Sequence, residues 1–349
     1  MLLNKNKIIF GALILIISLI ICPVIFAAAE DSSADASQMV QVGIPVEETP
    51  ELFLTRSMPT RGDGKIAVFL IDFPDYRNNN PVATREYYEN LYFGGAEGAN
   101  WKDMTVDGFY RSQSYGKLNI SGQVFDWYTA KHERSYYDDR KAELVMEAAE
   151  YYCAQGVDFS QFDGDGDGVI DAIAYHFAGA ADPVSNQPWY SGLCYGGGIN
   201  GFGKIGELKF TTMVQVSEDA REGSTDLINT VCHELGHTLG MPDLYSEVLS
   251  DGFDDLMCLN TPNINPYTKI LLGWIDTVRL VTGDTDNIRL YSDMGKAPGD
   301  VVIVTDKYNG FFDEFYVVSY RNDGNSSSVT VWHVDARLNE SKTAFLYNN

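Results

Sequence analysis

His233-Glu234-Leu235-Gly236-His237 sets two imidazoles four residues apart with a carboxylate between them. On a helix, residues four apart lie one turn above each other, so both rings leave the same face. Two neutral imidazoles held that way suit a tetrahedral Zn²⁺, and Glu234 on the intervening turn reaches a water beside the metal without ligating it. The stretch before the motif supplies the helix. Apolar residues at 227, 228, 231, 232, 235 and 239 keep the period of a half-buried helix, with Asp226 as N-cap. Two histidines on a solvated helix face are the ordinary alternative, and the residues after the motif weigh against it. Gly240 stands where a left-handed C-cap is wanted, Pro242 stiffens the reversal, and Asp243 arrives six residues after His237. A chain that turns back there delivers a third ligand and leaves one position open for water. A glutamate on a later helix is the other arrangement, but after Glu247 there is none until Glu314. The remaining histidines, His132, His176 and His333, lie far away in sequence.

A second set of ligating groups spans Asp163 to Asp171, where carboxylates alternate with glycines. Such a loop converges hard oxygens on one point, as Ca²⁺ requires. Asp163, Asp165 and Asp167 would ligate by side chain, Val169 by its carbonyl, and Asp171 directly or through water. Without a cation these acids repel one another. Position twelve of the loop is Ala174, not glutamate, and no clear helix precedes it. The loop therefore reads as a single structural calcium site, not an EF-hand sensor.

The elements that must position these groups alternate between strand and helix. Residues 65–73 are a compact Ile/Val/Phe-rich run, expected as a buried central strand. Residues 85–93 and 101–114 read as helices. The 117–128 stretch reads as a strand or hairpin, and 139–155 as an amphipathic helix backing the sheet alongside the zinc helix. Residues 170–177 read as a strand, and His176 near its end is expected to be structural. The glycine-rich 185–206 reads as cleft wall or surface excursion. The polar alternation of 209–216 suits an edge strand, and 266–274 a helix. The end of the chain is β-rich, at 287–291, 300–305, 315–320 and 328–334.

The string from His233 to Tyr245 closely resembles the zinc site of the immune inhibitor A family of secreted metallopeptidases. Further matches are Ile66-Ala67-Val68-Phe69-Leu70-Ile71-Asp72-Phe73, Gln113-Ser114-Tyr115-Gly116-Lys117-Leu118, the Asp163 to Asp171 stretch, Lys269-Ile270-Leu271-Leu272-Gly273-Trp274 and Val331-Trp332-His333-Val334-Asp335. The resemblance implies an α+β, metzincin-like zinc peptidase: a twisted mixed β-sheet backed by helices with an active-site helix, then a smaller β-containing C-terminal subdomain. It implies aspartate as third zinc ligand, an edge strand bordering the zinc that takes peptide by strand addition, and a propeptide within 30–62. Asp254-Asp255-Leu256-Met257-Cys258 resembles the methionine turn, with Met257 beneath the ligands. Several metzincins place a tyrosine two residues after that methionine; here it is Leu259, leaving Tyr245 and Tyr267 as weak candidates for stabilising the oxyanion. In Arg61-Gly62-Asp63-Gly64 the flanking glycines would let Asp63 approach the metal, and Asp63 is the candidate for a latent-state ligand.

Composition bounds the rest. Forty-five per cent apolar residues suffice for a packed core, and a net charge of −24, from 49 acidic against 25 basic residues, excludes the basic face a nucleic-acid binder needs. Lys5 and Lys7 precede an uncharged run from 8 to 29, closed by Ala27-Ala28-Ala29, which reads as a secretory leader; an uncleaved membrane anchor is its rival. The expected division is a signal peptide at 1–29, a propeptide or linker at 30–62, a catalytic subdomain at 63–240 and a C-terminal catalytic subdomain at 241–349. The family continues past this point into further domains, so the chain reads as a truncated or minimal member. Cys153, Cys194, Cys232 and Cys258 allow three pairings in an exported protein, with a disulfide and a free core thiol evenly matched for Cys232.

The expected function is a secreted zinc endopeptidase cutting extracellular proteins or peptides, with catalytic Zn²⁺, structural Ca²⁺ and Glu234 as general base and acid. No nucleic-acid partner and no stable membrane association after leader cleavage are expected, and the oligomeric state is open. The rivals are an inert, calcium-stabilised binding or adhesion module and a zinc amidase acting on cell-wall or small amides.

Overall fold

Every residue from Ile66 to Ile71 is fully buried, which a strand achieves only when both faces of its sheet are covered. The computed structural model describes residues 39–41, 56–98, 100–183, 187–218, 225–245, 254–259, 261–283, 290, 301–322 and 327–341. The chain divides into two compact units, Val42–Asp276 with Leu338–Asn349, and Met1–Gln41 with Thr277–Arg337.

The first strand in chain order, β1 (Met39–Gln41), belongs to the second unit. The fully buried run lies in β2 (Gly62–Asp72), the centre of the larger unit. β3 (Leu118–Val124) and the short β4 (Tyr128–Thr129) both pair with β2 in parallel, as does β5 (Ala172–Phe177) on its other side. The 117–128 stretch is therefore no hairpin: the chain returns to the start of β2 through two helices before pairing. β6 (Gly192–Gly196) comes next, followed by a small hairpin of β7 (Gly203–Ile205) and β8 (Leu208–Phe210). β9 (Thr212–Ser217) lies between β5, to which it is parallel, and β6, to which it is antiparallel. This corrects the expectation that 209–216 is the edge. β9 is buried along its length, and its polar residues have internal partners: Gln215 accepts from Tyr175 Oη at 2.6 Å and donates to the carbonyls of Pro188 and Tyr190. Among the described residues the sheet ends at β6, a strand drawn from the glycine-rich stretch.

Alternate residues of β2 face two separate cores. Ile66, Val68 and Leu70 pack with α1 (Arg85–Phe93) and α2 (Val106–Gln113), while Ala67, Phe69 and Ile71 pack with α3 (Lys141–Ala154). The stretch expected as one helix over 101–114 is a 3₁₀ turn at Trp101–Asp103 followed by α2. Helix α4 (Asp226–Thr238), which carries the histidine pair, shares the core of α1 and α2. It thus lies on the opposite face of the sheet from α3, not alongside it. α5 (Leu256–Leu259) and α6 (Pro266–Leu271) come after it, the latter capped by Asn265 Oδ1 accepting from the Thr268 amide at 2.8 Å. Met241, Leu256, Met257, Ile264 and Trp274 join the core of α4.

In the second unit, β10 (Thr277–Val281), β11 (Val301–Val304), β12 (Glu314–Asn322) and β13 (Ser327–Asp335) form a sheet in the order β1-β10-β11-β12-β13. β10 and β11 are parallel and the other pairs antiparallel. β1 arises in a stretch read without strands, since three residues are too few to show a period. The expected strand at 287–291 lies outside the described residues apart from residue 290, as do the leader at 1–29 and most of 30–62. Among the described residues no helix is long and apolar enough to cross a membrane.

Candidate metal centre

Helix α4 begins at Asp226 with Thr225 in the N-cap position, one residue earlier than expected. It buries Leu227, Ile228, Val231, Cys232 and Leu235, which fixes the rotation of the helix and hence the direction of both imidazoles. After Leu239, Gly240 takes φ +89°, the left-handed reversal read from the sequence. The Met241 amide closes the turn on Gly236 O at 3.1 Å. Asp243 then returns to the helix face with Oδ1 3.0 Å from His233 Nε2 and 3.5 Å from His237 Nε2.

The other nitrogen of each ring has a backbone partner. His233 Nδ1 lies 3.0 Å from Leu256 O, and His237 Nδ1 2.8 Å from Met241 O. A carbonyl only accepts, so each Nδ1 carries a proton, and each Nε2 is the ring atom left to face Asp243 and to ligate a metal. One atom from each of the three side chains falls within 4.8 Å of the others. Ligands about 2.0–2.2 Å from a tetrahedral ion stand roughly 3.3–3.6 Å apart; the 3.5 Å spacing falls in that range, the 3.0 Å spacing is the shorter one of a direct hydrogen bond, and the two-nitrogen, one-oxygen donor set suits Zn²⁺.

Glu234 stands beside this group without entering it, its Oε2 4.0 Å from His237 Nε2. Burial pushes its carboxyl up to about 7; His233 pulls against the rise, Asp243 adds to it, and an N–H from Cys194 lowers it again. Burial works in the same direction on Asp243, but the His233 hydrogen bond and the charge of both imidazoles outweigh it and hold this carboxyl below its ordinary range. Two neighbouring carboxyls thus differ in acidity: one is kept ionised, the other is set near neutral pH.

The contact from Cys194 was missed by sequence reasoning. It exists because β6 runs directly over Glu234: a Cβ added at Gly192 would lie 2.9 Å from Glu234 Oε1 and 2.5 Å from Thr230 Cγ2. Only glycine permits that approach. The signal was there in the glycine-rich stretch, but no periodicity marked a strand. Met257 is 1% exposed, with Sδ 2.9 Å from where a Cβ on Gly236 would sit, so it packs against α4 at the glycine next to His237. Tyr245 stacks over His233 at 6.1 Å between ring centroids and hydrogen bonds to Asp243. His176 joins no cluster: it is wholly buried, with Nδ1 3.1 Å from Ser217 O and Nε2 2.9 Å from Tyr92 Oη. Asp63 is not brought to the metal group either. It lies exposed in β2, its carboxylate accepting from Asn119 Nδ2 at 2.9 Å. Among the described residues, Cys153, Cys194, Cys232 and Cys258 are free thiols.

In the acidic loop, Asp163, Asp165 and Asp171 bring carboxylate oxygens within 4.8 Å of one another. Asp163 holds the loop's shape, accepting from the amides of Gly166 and Asp167 on Oδ1 and of Gly168 on Oδ2. Asp171 Oδ2 accepts from the amides of Lys65 at 2.8 Å and Gly164 at 3.1 Å, whereas its Oδ1 is buried without a partner. Burial pushes this carboxyl up to about 7, against the pull of those amides. Three carboxylates gathered this closely, one of them with a buried oxygen that lacks a partner, are what a hard cation would satisfy. Asp167 stands outside the group of three, its Oδ1 accepting from the Val169 amide at 2.8 Å.

A family model described as the immune inhibitor A peptidase M6 catalytic domain matches residues 55–255. Among curated proteins, the chain is 26% identical over 240 residues to a pre-pro-metalloprotease, PrtV, of Vibrio cholerae serotype O1. It is 25% identical over 241 residues to immune inhibitor A of Bacillus thuringiensis subsp. alesti. Each alignment covers 52% of this chain but only 25% and 33% of those relatives, respectively.

Proposed function

The chain belongs to the immune inhibitor A peptidase family M6, and from that premise we propose that it is a secreted zinc endopeptidase of metzincin type. Zinc would be held by His233, His237 and Asp243, with Met257 packed beneath. The observation that carries this reading is the gathering of two imidazole nitrogens and one carboxylate oxygen within 4.8 Å of one another, beside a second carboxylate that stays out of the group. When bound, the metal supplies Lewis acidity to a water and to the scissile carbonyl. Glu234 would take a proton from the water as its oxygen bonds to the scissile carbonyl carbon, and would give that proton to the amine as the C–N bond breaks. The Cys194 amide aims the Glu234 carboxylate. An extended substrate would add to the free edge of β6, which crosses above Glu234. This assigns to β6 the peptide-binding role the resemblance gives to an edge strand.

The loop at Asp163, Asp165 and Asp171 would hold a structural Ca²⁺, with Val169 O and Asp167 as further ligands once the loop closes on the ion. The leader at 1–29 would direct export. A removable segment within 30–62 would end before Ser57, because Ser57 and Met58 are 5% and 1% exposed and both donate to Thr238 O at the end of α4. For Asp63 to reach the zinc in a precursor, the pairing Asp63↔Asn119 between β2 and β3 would have to open.

The test is Glu234→Gln. Zinc content and fold should be retained, while cleavage of casein falls by about 10²–10⁴. Near-native cleavage by this variant would remove Glu234 from the chemistry, and cleavage of neither casein nor a peptide library by wild-type zinc protein would favour the inert binding module.

A further inference from the structure

Ser57 lies between the acidic loop and the zinc helix and is hydrogen bonded to both. Its Oγ donates to Asp171 O at 2.6 Å and is also hydrogen bonded to the hydroxyl of Thr212 in β9. Its amide, and that of Met58, each donate to Thr238 O at 3.1 Å. Thr238 is the last residue of α4, immediately after His237. Met58 is sealed into the same core as Val231, Leu235 and Leu239 on that helix. All of these groups lie within one compact unit.

We propose that Ser57 couples the two metal sites, so that a divalent cation in the Asp163–Asp171 loop raises zinc affinity at α4, and zinc raises cation affinity in the loop. The inference rests on the peptidase reading above and adds a regulation to it. The peptide carrying Asp171 is fixed at two points: its carboxylate by the loop, its carbonyl by Ser57. With a cation present, the three carboxylates are held together, and residues 57–58 dock with the end of α4. Without one, these like charges within 4.8 Å of one another repel, and the loop relieves the repulsion by opening. Opening withdraws Asp171 O from Ser57 and frees Thr238 O, loosening the turn from which His237 and Asp243 are presented. The docked and undocked states of residues 57–58 are the two-state element that both metals bias. Ser57 is a positioning residue here: it touches neither metal.

The test uses the full chain stripped of metal. Zinc affinity is measured by competition with a chromophoric zinc chelator over a range of Ca²⁺, and Ca²⁺ affinity by calorimetry with and without Zn²⁺. Calcium saturation should raise zinc affinity about fivefold or more, and zinc should raise calcium affinity by the same factor, because coupling is reciprocal. In Ser57→Ala each metal alone should bind as in wild type while the factor falls to one; Ser57→Thr, which keeps the hydroxyl, should restore it. A merely structural serine would instead weaken both metals whether or not the other is present. Asp165→Asn provides a check independent of Ser57: it should shift the rise in zinc affinity to higher Ca²⁺ without changing the calcium-free value. Wild-type protein that binds both metals independently overturns the coupling and leaves both site assignments standing. Coupling that survives Ser57→Ala, or a calcium effect unmoved by Asp165→Asn, overturns it too. Absence of zinc binding under all conditions sinks the peptidase reading, and this inference with it.

Discussion

The histidine cluster on α4 and the acidic loop each gather three ligating groups within 4.8 Å, yet they are assembled in opposite ways. The loop draws all its carboxylates from nine consecutive residues, and its shape comes from its own amides turned onto Asp163. The cluster draws on a helix, the glycine reversal at its end, carbonyls at Met241 and Leu256, and the strand β6 well upstream in the chain. Of the loop's three clustered acids only the last, Asp171, is tied to distant segments, its carboxylate by Lys65 and its carbonyl by Ser57. A site built from distant elements is as rigid as the core that joins them, which suits a reaction needing fixed donors.

The largest effect expected from this contrast is at Asp243. Asp243→Ala removes one of three donors from a preorganised set, so zinc affinity should fall by more than the roughly 100-fold that loss of an outer partner costs. Competition with a chromophoric chelator would read it. A fall of less than about tenfold would mean that Asp243 does not complete the site. Next comes the loop. If it binds calcium only when folded, saturation at about a hundred times Kd should add about 2.7 kcal/mol, or roughly 5–10 °C in Tm. Scanning calorimetry with and without Ca²⁺ checks this, and Asp171→Asn should remove most of the gain. Third is Gly192→Ala, which puts a methyl group against Glu234 and Thr230. Displacing the carboxylate by a fraction of an ångström should lower kcat by about ten- to a hundredfold with zinc content unchanged. Unchanged kcat would show that β6 does not fix Glu234.

The same contrast explains what was legible in the sequence. The acidic loop was legible because its carboxylates and its turns are contiguous. The helix, its reversal at Gly240 and the return of Asp243 were legible for a similar reason: caps and periodicity are local signals. What stayed hidden were relations between distant segments. Nothing in 209–216 shows that Gln215 finds its partners in Tyr175, Pro188 and Tyr190, so its polar pattern resembled an edge. Nothing in Gly192-Leu193-Cys194 marks a strand, since glycine carries no pattern. Ser57 and Met58 sat in a polar stretch whose tie to the zinc helix is two amides meeting one carbonyl. The assignment of sheet faces to α3 and α4 failed likewise, because each helix shows an apolar stripe but not which layer receives it.

His176 sharpens the contrast from the other side, as a buried imidazole with no ligand to hold. Its Nδ1–H donates to Ser217 O and its Nε2 accepts from Tyr92 Oη, so both nitrogens are satisfied by the neutral ring. Burial, only partly offset by the Ser217 carbonyl, lowers its pKa to about 4. In the unfolded chain the same ring titrates near its ordinary value of about 6.5. Between those values the unfolded state binds more protons than the folded one, so stability rises with pH across the window and is lost as pH falls through it. From about pH 6.5 to 5.5 the loss from this one ring should be about 1 kcal/mol, the smallest effect considered. His176→Gln keeps a donor and an acceptor but cannot titrate, so urea unfolding of metal-stripped protein should show a shallower dependence on pH by that amount. An identical slope in both proteins would mean that the ring is already protonated in the fold, and that the distinction between a structural and a ligating histidine is not one of compensated burial.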